Sequence, residues 1–178
     1  MKEITIGFST SKKKLAIASW AIMFYQNTKF SHTYLRETLR VFKDDLIIHA
    51  SEGSVQRMSQ YQFDKKHKVV EEYIITIENR ETYQKMKDIM HKHSGARYSV
   101  LQNVGILYVD LMNSIFNKNV KNPWQKGWNC SELVAVVLNE MFPKYFDKYD
   151  PNTITPKQVN IVLKKLADKN LIKKKPIV

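Results

Sequence analysis

Gly127-Trp128-Asn129-Cys130-Ser131-Glu132-Leu133-Val134 runs on into Ala-Val-Val-Leu-Asn-Glu-Met, ending at residue 141. Leu133, Val134, Val137, Leu138 and Met141 recur at helical spacing and predict one apolar face, so this stretch reads as a buried helix. Gly127 and Asn129 are turn and cap residues just upstream. The only cysteine of the chain therefore falls in the helix's first turn. There, unpaired backbone N–H groups and the positive end of the helix dipole favour thiolate over thiol. Position alone also fits a small buried hydrophobe, the ordinary state of a lone cysteine. A histidine partner elsewhere would decide for chemistry.

The segments before this helix read mostly as strands. Ile4-Thr5-Ile6-Gly7-Phe8 alternates, residues 30–35 (Phe-Ser-His-Thr-Tyr-Leu) are aromatic and β-branched, and residues 46–50 and 69–77 are apolar runs. Ser9-Thr10-Ser11 is expected to close the first strand and cap a helix over 14–25, and 56–63 to form a short helix. After residue 80 the character turns helical. Residues 81–93 place Met86, Ile89 and Met90 inward before Gly95, and 100–116 keep helical spacing. A polar loop covers 117–126, and the cysteine helix stops near Pro143. Thr155-Pro156-Lys157-Gln158 starts a last helix whose inner face is Val159, Val162, Leu163 and Leu166. Strands followed by helices predict an α+β fold with an antiparallel sheet, in one domain spanning 1–178 with a flexible basic tail over 172–178.

With 178 residues, 43% of them hydrophobic, the chain can bury a proper core. One cysteine excludes an intramolecular disulfide. The N-terminus lacks a signal-peptide layout, and the apolar stretch 15–25 is too short to span a bilayer, so a soluble cytoplasmic protein is expected. The net charge of +12 suits an anionic partner. Only five arginines contribute to it, and the lysines are mostly scattered, which argues against nucleic-acid readout. No phosphate-cradling glycine loop and no zinc-type Cys/His spacing occurs, so neither cofactor nor metal is expected.

His32 and His49 lie in successive strands. Antiparallel pairing can set both on one side of the sheet, because strand side chains alternate. If the cysteine helix packs across that side, Cys130, His32 and His49 meet as nucleophile, base and orienting group. Either histidine could instead be a structural group, and Glu52 is the alternative orienting residue. His67 lies in a basic loop, and His91 and His93, two apart on a helix, point to different faces. Tyr98 could line the site or be a core tyrosine, and Trp128 could shield the thiol or only pack.

The order of these blocks resembles the circularly permuted branch of the NlpC/P60 papain-like superfamily, which contains the YiiX-like and lecithin–retinol acyltransferase-like proteins. Gly7-Phe8-Ser9 resembles its opening strand, and Phe30-Ser31-His32-Thr33-Tyr34 its Ser-His strand, whose histidine is the base. Ile47-Ile48-His49-Ala50 with Gly53-Ser54-Val55 resembles the block whose polar residue orients that base. Gly95-Ala96-Arg97-Tyr98 resembles its Gly-x-x-Tyr, Asn129-Cys130-Ser131-Glu132-Leu133-Val134 its Cys-Ser-Glu-Leu-Val, and Thr155-Pro156 the helix start that follows. The match spans residues 3 to 165. It departs at His49, where YiiX-like members often carry Glu, and at Ser99, where Asp is frequent. The resemblance implies a permuted papain-like fold and thiol hydrolase or transferase chemistry on an amide or ester. Cys130, His32 and His49 would be catalytic, with Tyr98, Trp128 and Ser131 binding a peptide, cell-wall or acyl-lipid substrate. A non-catalytic basic binding module of the same fold is the competing expectation.

Overall fold

The structure is a computed structural model that describes residues 2–13, 16–39, 44–51, 53–99, 105, 106, 108, 109, 112, 120 and 127–177. Among these residues six strands form one antiparallel sheet: β1 (Lys2–Ser11), β2 (His32–Leu39), β3 (Asp44–Ser51), β4 (Ser54–Ser59), β5 (His67–Ile77) and β6 (Lys173–Lys175). Their order is β4-β3-β2-β1-β5-β6. The helices are α1 (Ile17–Gln26), α2 (Gln60–Lys66), α3 (Arg80–Lys92), α4 (Cys130–Asn139), α5 (Pro143–Phe146) and α6 (Pro156–Asp168). The architecture is α+β, as expected from strands preceding helices. No helix among the described residues is long and apolar enough to cross a membrane.

Period-two alternation sorts the sheet into two buried sides. Ile4, Ile6, Phe8, Leu35, Ile48, Ala50, Ile75 and Ile77 share one cluster with Met86 and Met90 of α3, Leu133, Val134 and Val137 of α4, and Val159 and Leu163 of α6. This is the inner side. The other side, the outer one, holds a smaller cluster of Tyr34, Ile47 and Phe63, with α2 lying across it. Cys130 belongs to the inner cluster.

Several local expectations change. Ser9, Thr10 and Ser11 continue β1 rather than capping α1, whose N-cap is Ala16 with no side-chain bond. The helix expected over 56–63 is a strand followed by a helix. β4 runs to Ser59, and Ser59 and Gln62 then form a capping box that starts α2. The tail expected over 172–178 is tied down in part: Ile172 is buried and β6 pairs with β5 through Glu72↔Lys175 and Ile74↔Lys173. Lys174 and Lys175 pair with Glu71 and Glu72 there, so the lysines serve as an edge strand's ion-pair partners. The helix expected over 100–116 and the loop over 117–126 lie largely outside the described residues, as does Glu52; residues 105, 106, 108, 109 and 112 are helical.

Candidate active site

Cys130 is the first residue of α4. Asn129 fixes that end. Its Oδ1 accepts the Glu132 N–H at 2.8 Å, and Glu132 Oε2 accepts the Asn129 N–H at 3.3 Å. This reciprocal box satisfies two donors that a helix start leaves open. Upstream, Gly127 has φ 113°, and an added Cβ would stand 2.8 Å from the Arg97 carbonyl oxygen. Only glycine lets the chain turn there, close against residues 97–99, into Trp128.

The sulfur is buried, with the residue 4% exposed. Burial pushes the thiol above its ordinary range, and the polar groups of Thr33 and Ser131 near the sulfur offset that only in part. The Ser131 hydroxyl lies 3.9 Å from Sγ. Helix-end position was expected to favour thiolate; in this arrangement desolvation wins. The pocket at the sulfur, lined by Ile22, Gln26, Ser31, Ile106 and Thr155 among others, has room for about a single water.

His32 and His49 do meet. His32 Nε2 and His49 Nδ1 are 2.9 Å apart, and both residues are buried. Phe63 of α2 stands edge-on to His49 at 5.3 Å, and His67 stacks on His32 at 5.3 Å. Burial holds both imidazoles low, His32 to about 4 and His49 to about 2, where the nearby His32, His67 and Lys66 add to the effect. Both rings are therefore neutral at pH 7. Among the described residues His49 Nε2 has no hydrogen-bond partner.

The pair and the thiol occupy opposite sides of the sheet. Thr33, beside the sulfur, pairs with Phe8 of the inner cluster, while His32 immediately precedes it in β2 and turns the other way, toward Phe63. The arrangement expected from the sequence, with the cysteine helix crossing the histidines' side, is thus not the one found. α4 crosses the inner side, and α2 covers the histidines. Thr33 was missed as a contact of the sulfur. The signal for it was alternation itself, since one strand cannot turn His32 and Thr33 to the same partner.

The expected substrate-binding residues divide as well. Ser131 is beside the sulfur but only 1% exposed. Tyr98 and Trp128 form a bridge between their backbones, and both pack against the inner cluster. The Trp128 ring lies 4.0 Å from that of His93, and neither Tyr98 nor Trp128 lines the pocket at Cys130. Among the described residues no group of three or more His, Cys, Asp or Glu side chains is arranged to hold a metal ion.

No protein-family model and no curated protein matches the chain. Among solved structures it is similar to the metalloprotein yiiX from Escherichia coli O157:H7 (DUF1105), at 16% identity and a TM-score of 0.47, covering 99% of this chain and 96% of that one.

Proposed function

We propose that the protein is a cysteine-dependent hydrolase of the amidase or peptidase type, in a permuted papain-like domain, acting on an amide or ester through an acyl-enzyme. The supporting observation is the setting of Cys130: first residue of a capped helix, with the Ser131 hydroxyl 3.9 Å from its sulfur, Thr33 beside it and a pocket alongside. The order of sequence blocks from Gly7 to Pro156 supports it independently. In the reaction His32 takes the thiol proton, Cys130 Sγ attacks the acyl carbonyl, His32 returns the proton to the departing amine or alcohol, and water then cleaves the thioester to give the acid and the thiol.

The reading carries one requirement. His32, the base nominated by the sequence, must turn to the sulfur's side in the free protein, because a ring bonded to His49 on the other side of the sheet cannot reach the thiol proton. The β2–β3 ladder begins at Leu35↔Ile48, so His32 and Thr33 lie beyond it, with β1 as their ladder partner. Backbone held on one edge is the part of β2 with most freedom to rotate.

One observation favours a second reading, a non-catalytic basic module of the same fold: the thiol is raised by burial, and the two histidines nominated for it, His32 and His49, bond to each other on the other side of the sheet. Alkylation by iodoacetamide at neutral pH separates the two. The enzyme reading expects Cys130 to react faster than a free cysteine thiol, with labelling lost in Cys130→Ala and slowed in His32→Gln while both variants keep their melting transitions. Alkylation no faster than that of glutathione removes the hydrolase and leaves the binding module.

A further inference from the structure

Helix α1 is built inside out. Its polar and sulfur-bearing residues face the protein: Ser19 Oγ meets Ser31 Oγ, Met23 Sδ accepts the Thr10 hydroxyl at 3.4 Å, and buried Gln26 accepts the Lys157 N–H through Oε1 at 3.2 Å. Three of its large apolar residues face outward. Ile17 is 78% exposed, Trp20 61% and Phe24 91%, and positions i, i+3 and i+7 lie on one side of a helix. Tyr25 flanks them at 41%, and the first and last turns carry no charged residue. Such a contiguous apolar strip marks a surface that is covered in use.

What covers it follows from the charges at its ends. Lys12 and Lys13 stand exposed just before the helix, Lys29 stands exposed just after it, and exposed Lys157 is fastened to the helix end through Gln26. An apolar ridge with an outward tryptophan, cations at both ends and +12 on the whole chain matches an anionic lipid surface. We propose that α1 seats the protein on anionic membranes, with Ile17, Trp20 and Phe24 in the interfacial layer and the lysines against lipid phosphates. The bilayer would then lie against the helix whose inner residues Ile22 and Gln26 line the Cys130 pocket. The inference stands whether or not Cys130 is a nucleophile, and the Cys130→Ala variant should bind membranes as the wild type does.

The test is flotation with vesicles of phosphatidylcholine alone and of phosphatidylcholine mixed with phosphatidylglycerol. Wild type should float with the mixed vesicles, poorly with the neutral ones, and be released by salt. Trp20→Ser/Phe24→Ser should keep the wild-type circular dichroism and melting transition, since both side chains are exposed. It should bind mixed vesicles weaker by about tenfold or more per aromatic. Equal binding by the variant would overturn the inference, since charge alone would then suffice. A wild-type dimer that this variant dissolves, without vesicle binding, would overturn it in favour of a second copy of the chain.

Discussion

Lowering the pH from 7 to 5 is expected to destabilise the fold by roughly 3–4 kcal/mol, through His32 and His49 alone. Both rings are buried and neutral in the folded protein, with values held to about 4 and about 2 against 6.5 for a free histidine. The unfolded chain takes up protons below pH 6.5, whereas the folded chain does not until far lower. The stability is therefore complete above 6.5 and is lost as pH falls toward 4, by about 1.4 kcal/mol per pH unit for each ring. Nothing nearby offers relief. His49 is faced by His32 from β2, by His67 at the start of β5 and by Lys66 at the end of α2, so every neighbouring charge opposes protonation. A domain holds about 5–15 kcal/mol in total, so an effect of this size should appear as a large drop in melting temperature. The decisive readout is the slope of stability against pH. His49→Gln will change the absolute stability for packing reasons, but it should also flatten the slope by one ring's share. A slope unchanged in that variant would mean that His49 is not a neutral buried group.

The strands, the helix order and the capped starts of α4 and α6 were legible in the sequence because each carries a local signal: period-two apolar runs, or Asn129 and Thr155 three residues ahead of Glu132 and Gln158. Even the meeting of His32 with His49 was legible, since antiparallel pairing of β2 and β3 permits it. The side on which α4 packs was not. Residues 31 to 37 are buried without interruption, so β2 has no polar side to announce which way the helices lie. A sheet covered on both sides loses the alternation that normally assigns its faces. The covering element, α2, is short and polar, and its capping box was hidden inside a stretch read as one helix. β4 (Ser-Val-Gln-Arg-Met-Ser) and β6 (three lysines) escaped for a related reason. Edge strands are chosen by backbone pairing and by partners such as Glu71 and Glu72, and their own composition resembles a loop or a tail.

Gly7→Ala should be the most damaging small substitution in the sheet, at about 3 kcal/mol or more, although alanine is a better strand residue than glycine. Gly7 pairs with Tyr34 on one side and with Glu72 on the other. The Tyr34 ring lies flat across the vacancy, and a Cβ on residue 7 would stand 2.0 Å from its Cζ. That path is how the phenol reaches a strand two places away, donating to Glu72 Oε1 at 2.6 Å while Arg36 Nη2 holds Oε2 at 2.8 Å. Burial first, and then the Glu72 charge, push the phenol above its ordinary range and keep the donor protonated. A methyl group at residue 7 lifts the ring, takes a hydrogen bond from a carboxylate that is 4% exposed, and loosens the contact with Phe63 at 4.6 Å. Each of these losses requires the ring. In a Tyr34→Ala background the same Gly7→Ala change should therefore cost little or even stabilise, since the space is then empty and glycine's extra chain entropy is removed. Urea unfolding of the four proteins of this cycle measures the coupling, expected at 2 kcal/mol or more, roughly the upper part of the range for residues in contact. Additive costs would mean that the strand tolerates a Cβ at residue 7 by moving its backbone, and that the outer layer of Tyr34, Glu72 and Arg36 does not depend on the glycine beneath it.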